Sequence, residues 1–148
     1  MPARFYIEPK LNCVFVQHFD EYTLSDSHDQ LLEMLEDPDY VRGMNILRDI
    51  RATPIPSELT FSYFKKVHPS EMGNVERQLG QCKVAVLVGS REDYAIAHQL
   101  SISTRLTPTN VERKPFRDLT KAKLWLGVPE GYVISGFEAE PVENNSAP

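Results

Sequence analysis

Asp49 and Arg51, Ser90 and Arg91, and Arg117 beside Asp118 are the side chains of this sequence best placed by type and spacing to hold an anion. Each follows a run of β-forming residues, and an open α/β sheet takes its ligands in the crevice outside the carboxyl ends of its strands. Ser90 also opens a helical stretch, and the free N–H groups of a helix start favour negative charge. Capping offers a simpler role, since Ser90 and Asp118 are what a helix N-terminus requires, and Arg–Asp pairs are common on surfaces. Asp49, Arg51, Ser90, Arg91 and Arg117 are the candidate ligand-binding residues at this edge.

A second candidate set is aromatic. Phe61, Tyr63 and Phe64 precede Pro69, which interrupts a helical pattern. Core packing of an amphipathic helix accounts for them. The alternative is a cavity lined by Leu59, Tyr63, Phe64 and Met72, between the sheet and the helices of residues 58–79, that would take a small apolar or amphipathic, lipid-like ligand.

No catalytic residue is expected. His18, His28, His68 and His98 titrate near neutrality as a residue type, but none stands at a recognisable spacing from a Ser or Cys nucleophile. His28 falls on a helix stripe, His68 at a helix end and His98 one turn after Tyr94. Cys13 and Cys82 lie far apart in or beside apolar runs, which suits buried free thiols. A disulfide requires them to be neighbours in the fold. No cluster has zinc-ligand spacing, so no metal is expected. Gly89-Ser90 lacks the further glycines of phosphate-cradling and dinucleotide loops, so no nucleotide cofactor is expected. A net charge of −5 disfavours general nucleic-acid binding, which depends on neutralising phosphates.

The elements that must position these residues follow from periodicity. Phe5–Glu8 and Cys13–Gln17 are β-prone runs around a Pro-Lys-Leu-Asn turn, hence a hairpin. A helix capped by Thr23, with Asp26 completing the capping box, carries Leu24, His28, Leu31, Leu32 and Leu35 on one stripe and ends at Asp37-Pro38. Residues 45–50 form a strand, and residues 58–67 and 70–79 form two helices closed by Gly80. Val84–Val88 is continuously apolar, as a central parallel strand covered on both faces would be. The next helix is apolar on more than one face, which means thorough burial or contact with another chain. Val111–Phe116 is polar and holds Pro115, which favours a sheet edge. A last helix runs from Asp118 to Gly127, with Leu119, Ala122 and Leu126 inward.

The order ββαβααβαβα defines an α/β fold: one domain over residues 1–137, with an N-terminal β-hairpin leading into a mainly parallel sheet of four to five strands joined by β-α crossovers. Residues 138–148 are acidic, hold proline and are poor in apolar side chains, so a disordered tail is expected. No stretch is apolar enough to span a membrane and no signal peptide opens the sequence, so the expected location is cytoplasmic.

With that order, Gly89-Ser90-Arg91-Glu92-Asp93-Tyr94 after a buried strand and Phe116-Arg117-Asp118-Leu119-Thr120-Lys121-Ala122-Lys123-Leu124-Trp125-Leu126-Gly127 near the end, residues 4–129 resemble the SpoIIAA-like family. That family is related to the STAS domains of bacterial anti-sigma-factor antagonists and, in shape, to Sec14-type lipid-exchange domains. The antagonists carry an Asp-Ser/Thr-x-Gly turn whose hydroxyl is phosphorylated. Here the turn is Asp49-Ile50-Arg51-Ala52, with Ile50 at the hydroxyl position and Ala52 at the glycine, which disfavours that switch; Thr53 and Ser57 are the nearest hydroxyls. The resemblance implies a non-enzymatic regulatory or protein-interaction module, dimeric through the helix of residues 93–106. The Sec14-type likeness implies the alternative, a carrier or sensor with the aromatic segment as a lid.

Overall fold

The computed structural model describes residues 3–19, 24–55, 77–105 and 110–136, and the side chains of 24–27 and 103–105 are outside that description. Five strands, β1 (Ala3–Glu8), β2 (Cys13–His18), β3 (Asn45–Asp49), β4 (Cys82–Leu87) and β5 (Val111–Phe116), form one sheet in the order β1-β2-β3-β4-β5. β1 and β2 are antiparallel, and every later neighbour is parallel. Three α-helices are described: α1 (Leu24–Leu35), α2 (Arg91–Arg105) and α3 (Leu119–Leu126). Residues 77–79 are helical and lead into Gly80, at φ +71°. The rest of the two helices expected between β3 and β4 lies outside the described residues. So do Thr23 and the tail from residue 138.

The hairpin turns through a 3₁₀ turn, Pro9–Leu11. Proline supplies the fixed φ of its first position, the Glu8 carboxylate accepts from Lys10 N at 3.2 Å, and Asn12 takes the left-handed conformation at φ 53°. Alternation then sorts the side chains. Val14, Val16, Ile46 and Val84 lie on one face with Leu31 and Met34 of α1. Val86 continues that face to Ala97 of α2. Sequential strand order puts successive right-handed crossovers on one side of a sheet, and α1 and α2 share that side. Cys13, Phe15, Leu47, Ala85 and Leu87 lie on the opposite face beneath Ala122 and Leu126 of α3, with Val128 and Ile134.

Both faces of β2, β3 and β4 are thus covered, which explains the unbroken apolar run in β4. Phe15 is wholly buried, and truncating such a side chain costs about 3–5 kcal/mol. Asp118 caps α3 through Thr120 N and Lys121 N, and Gly127 ends it at φ 78°. Lys123 then donates to the carbonyls of Glu130 at 2.9 Å and Tyr132 at 2.6 Å, fastening the chain after α3 over this face.

One expectation needs correction. In α1 the buried stripe is Gln30, Leu31 and Met34, while Leu32 is exposed. The helix is rotated because Gln30 reaches Arg48, described below. The two cysteines are buried free thiols, as their apolar runs suggest, and the sheet shows why they are not neighbours: β3 lies between Cys13 on β2 and Cys82 on β4. Two strand spacings amount to about 9.5 Å, beyond the roughly 7 Å that a disulfide can bridge.

Candidate functional site at the carboxyl edge of the sheet

Asp49 ends β3, Ser90 follows β4 and Arg117 follows β5, so parallel pairing brings three loops to one edge. Backbone bonds join them, from Ile50 N to Leu87 O at 2.9 Å and from Val88 N to Phe116 O at 2.8 Å. Asp49 and Arg51 meet directly. Arg51 donates Nε to Oδ1 and Nη2 to Oδ2, each at 3.0 Å, and its backbone N–H adds a third bond to Oδ1 at 3.0 Å. The carboxylate is buried, so this forked pair satisfies both partners and pins the turn after β3.

Ser90 is a cap. Its Oγ accepts from Asp93 N at 3.1 Å and its carbonyl from Tyr94 N at 3.0 Å. Asp93 Oδ1 in turn accepts from Ile55 N at 3.5 Å, tying α2 to the β3 loop. Gly89 lies against that loop, because a Cβ built there would sit 2.5 Å from the Arg51 carbonyl oxygen. Arg91 and Arg117 are exposed. Of the edge candidates the structure therefore unites Asp49, Arg51 and Ser90 in one bonded framework. Arg117 follows the neighbouring strand, and Arg91 opens α2. Tyr63 and Phe64 lie outside the described residues, as do Leu59, His68 and Met72.

The same edge carries a polar cluster on the α1 side. His18 ends β2 and is 1% exposed. Its Nε2 lies 2.6 Å from Arg48 Nη1, and Arg48 Nη2 donates to Gln30 Oε1 at 2.9 Å. Burial, then the charge of Arg48, pushes the His18 pKa down to about 3. His18 is held neutral as a structural acceptor. Alternation was the available signal: His18 shares a face with Val14 and Val16, and Arg48 with Ile46, so two polar side chains stand on a core face at the ends of adjacent strands.

Thr53 is 3% exposed, and its Oγ1 has no hydrogen-bond partner among the described residues. Ile50 is also buried. Ser57 lies outside the described residues.

α2 presents the opposite character. Ala97, Leu100 and Ser101 face the sheet. Tyr94, His98 and Ile102 form an outward row at i, i+4 and i+8, with Tyr94 38% and Ile102 43% exposed. The Tyr94 and His98 rings stack at 6.1 Å and 6°. Among the described residues no three His, Cys, Asp or Glu side chains group as a metal site, and no helix is long and apolar enough to cross a membrane.

Comparison of the chain with family models, curated proteins and solved structures returned no match.

Proposed function

We infer that this protein is a non-enzymatic, SpoIIAA-like regulatory module that works by protein contact, and that its first partner is a second copy of itself, met through α2. The Tyr94–His98–Ile102 row carries the reading. An aromatic and a branched aliphatic side chain are left in water at the spacing of a helix-pairing seam, and contiguous exposed apolar side chains mark interaction sites. The row is symmetric about His98, so two antiparallel copies would set Tyr94 of each against Ile102 of the other, the self-complementary arrangement of a twofold interface.

The sheet supports the architecture implied by the resemblance, with an antiparallel hairpin at one edge and parallel strands in sequence after it. The bonded framework of Asp49, Arg51 and Ser90 would then act as a rigid mount for α2. The buried hydroxyl of Thr53 favours regulation by association over phosphorylation at that residue. A photo-crosslinking residue in place of Ile102 tests the reading: crosslinks to α2 of a second copy support it, and crosslinks confined to other elements oppose it.

A further inference from the structure

A separate feature lies on the β1 side of the sheet, where the C-terminal turn meets the hairpin. Arg4 and Gln17 are paired across β1 and β2, two register steps from the pair Tyr6 and Phe15 on the same face. Gln17 Oε1 accepts from Arg4 Nε at 3.0 Å and Nη2 at 2.6 Å, and the Gly136 carbonyl accepts from Nη2 at 2.8 Å. Ser135 N donates to the Tyr6 hydroxyl at 3.0 Å, which also lies 2.9 Å from the Tyr132 hydroxyl. Gly136 has φ +83°, and a Cβ there would come 3.0 Å from Arg4 Nη2, so glycine permits this approach.

These bonds tie the Ser135–Gly136 turn to the side chains of β1 and β2 beside an open cleft of about 210 Å³. Its walls are the aromatic pair Tyr6 and Phe15, the polar pair Arg4 and Gln17, and the turn itself. Among the described residues the guanidinium meets neutral groups: an amide oxygen, a backbone carbonyl and the Phe19 ring, 5.9 Å from its carbon. Asp49, the register neighbour of Gln17 on β3, gives its carboxylate to Arg51. Gln17 spends its oxygen on Arg4 and so presents its amide N–H₂ as a donor. Arg4 Nη1 is a second donor, engaged by none of these bonds.

We propose that this cleft binds a small monocarboxylate carrying a compact apolar or aromatic body. A planar carboxylate matches a guanidinium edge, and Gln17 adds a neutral donor beside it. One cation suits a monoanion better than a phosphate dianion. The volume lies below the roughly 300–1,000 Å³ of sites for drug-sized ligands, and Tyr6 and Phe15 supply a surface for an aryl group.

The test is a titration of ¹⁵N-labelled full-length protein with sodium benzoate, followed by NMR. The expected result is saturable shifts at Ser135, Gly136 and the Gln17 and Arg4 side chains. Benzamide, neutral and of the same shape, should bind at least about tenfold more weakly, as loss of a charged hydrogen bond implies. Arg4→Gln should abolish the shifts. Because Arg4 also anchors the turn, Gln17→Glu is the second variant: it keeps the oxygen that Arg4 binds but supplies an internal carboxylate, and it should abolish benzoate binding with the spectrum otherwise preserved. Absence of saturable shifts in the wild type, equal binding of benzamide, or undiminished binding in Gln17→Glu would overturn the proposal.

Discussion

Arg48 donates from Nη1 to His18 Nε2 across 2.6 Å, and this fixes the proton on the imidazole. A guanidinium has no acceptor, so Nε2 is bare and the neutral ring carries its proton on Nδ1. NMR of the imidazole nitrogens should show that tautomer near neutral pH, with no titration of His18 around its ordinary value of 6.5. A ring that titrates near 6.5 would contradict the arrangement.

Linkage gives the consequence for stability. The His18 pKa falls from 6.5 to about 3 on folding. Below 6.5 the unfolded chain takes up a proton that the native chain refuses, so stability declines as pH falls from 6.5 toward 3. Above 6.5 the ring is neutral in both states and the contribution is flat. The slope from this one group is at most about 1.4 kcal/mol per pH unit. Urea unfolding of His18→Gln should show a shallower acid slope than the wild type, and equal slopes would contradict it.

Gly89 should tolerate no side chain. The Arg51 carbonyl stands 2.5 Å from a Cβ there, and the obstacle is backbone, so Gly89→Ala must displace the β3 or β4 loop. A loss of about 1–3 kcal/mol is expected in chemical denaturation. Ser90→Ala removes only the cap bond to Asp93 N and should cost about 0.5–2 kcal/mol. A neutral Gly89→Ala would show that the two loops do not touch.

Both thiols should be silent in the native protein. Cys13 and Cys82 are buried, and burial pushes the Cys13 pKa up to about 12. A thiol reagent should modify neither until denaturant is added, and then both, because thiolate is the reactive form. Rapid reaction in native buffer would place one of them at the surface.

Much of this layout was legible in the sequence because it rests on local signals. Proline and charges marked β5 as an edge, continuous apolarity marked β4 as central, and Ser90, Asp118 and Gly127 marked helix ends. At the site, sequence placed Asp49, Arg51 and Ser90 near one another but left anion binding and capping open. The bonds that distinguish these roles span two or three residues, and spacing alone does not say which side-chain conformation makes them; the approach of Arg51 to Gly89 is tertiary. The rotation of α1 escaped periodicity for a related reason. Leu32 fits a helical stripe as well as Gln30 does, until Arg48 on a strand supplies Gln30 with a partner. The Arg4–Gly136 contact joins residues 132 positions apart, and no local pattern announces it.

The central claim, self-association through the outward row of α2, is met most directly by native mass spectrometry of the wild type beside Ile102→Glu. Ile102 is 43% exposed, so the added charge should leave the fold intact, as circular dichroism would verify. The account predicts a wild-type dimer whose population grows with concentration and a variant that stays monomeric. A wild type that remains monomeric at the highest concentration reached, or a dimer indifferent to Ile102→Glu, would contradict it.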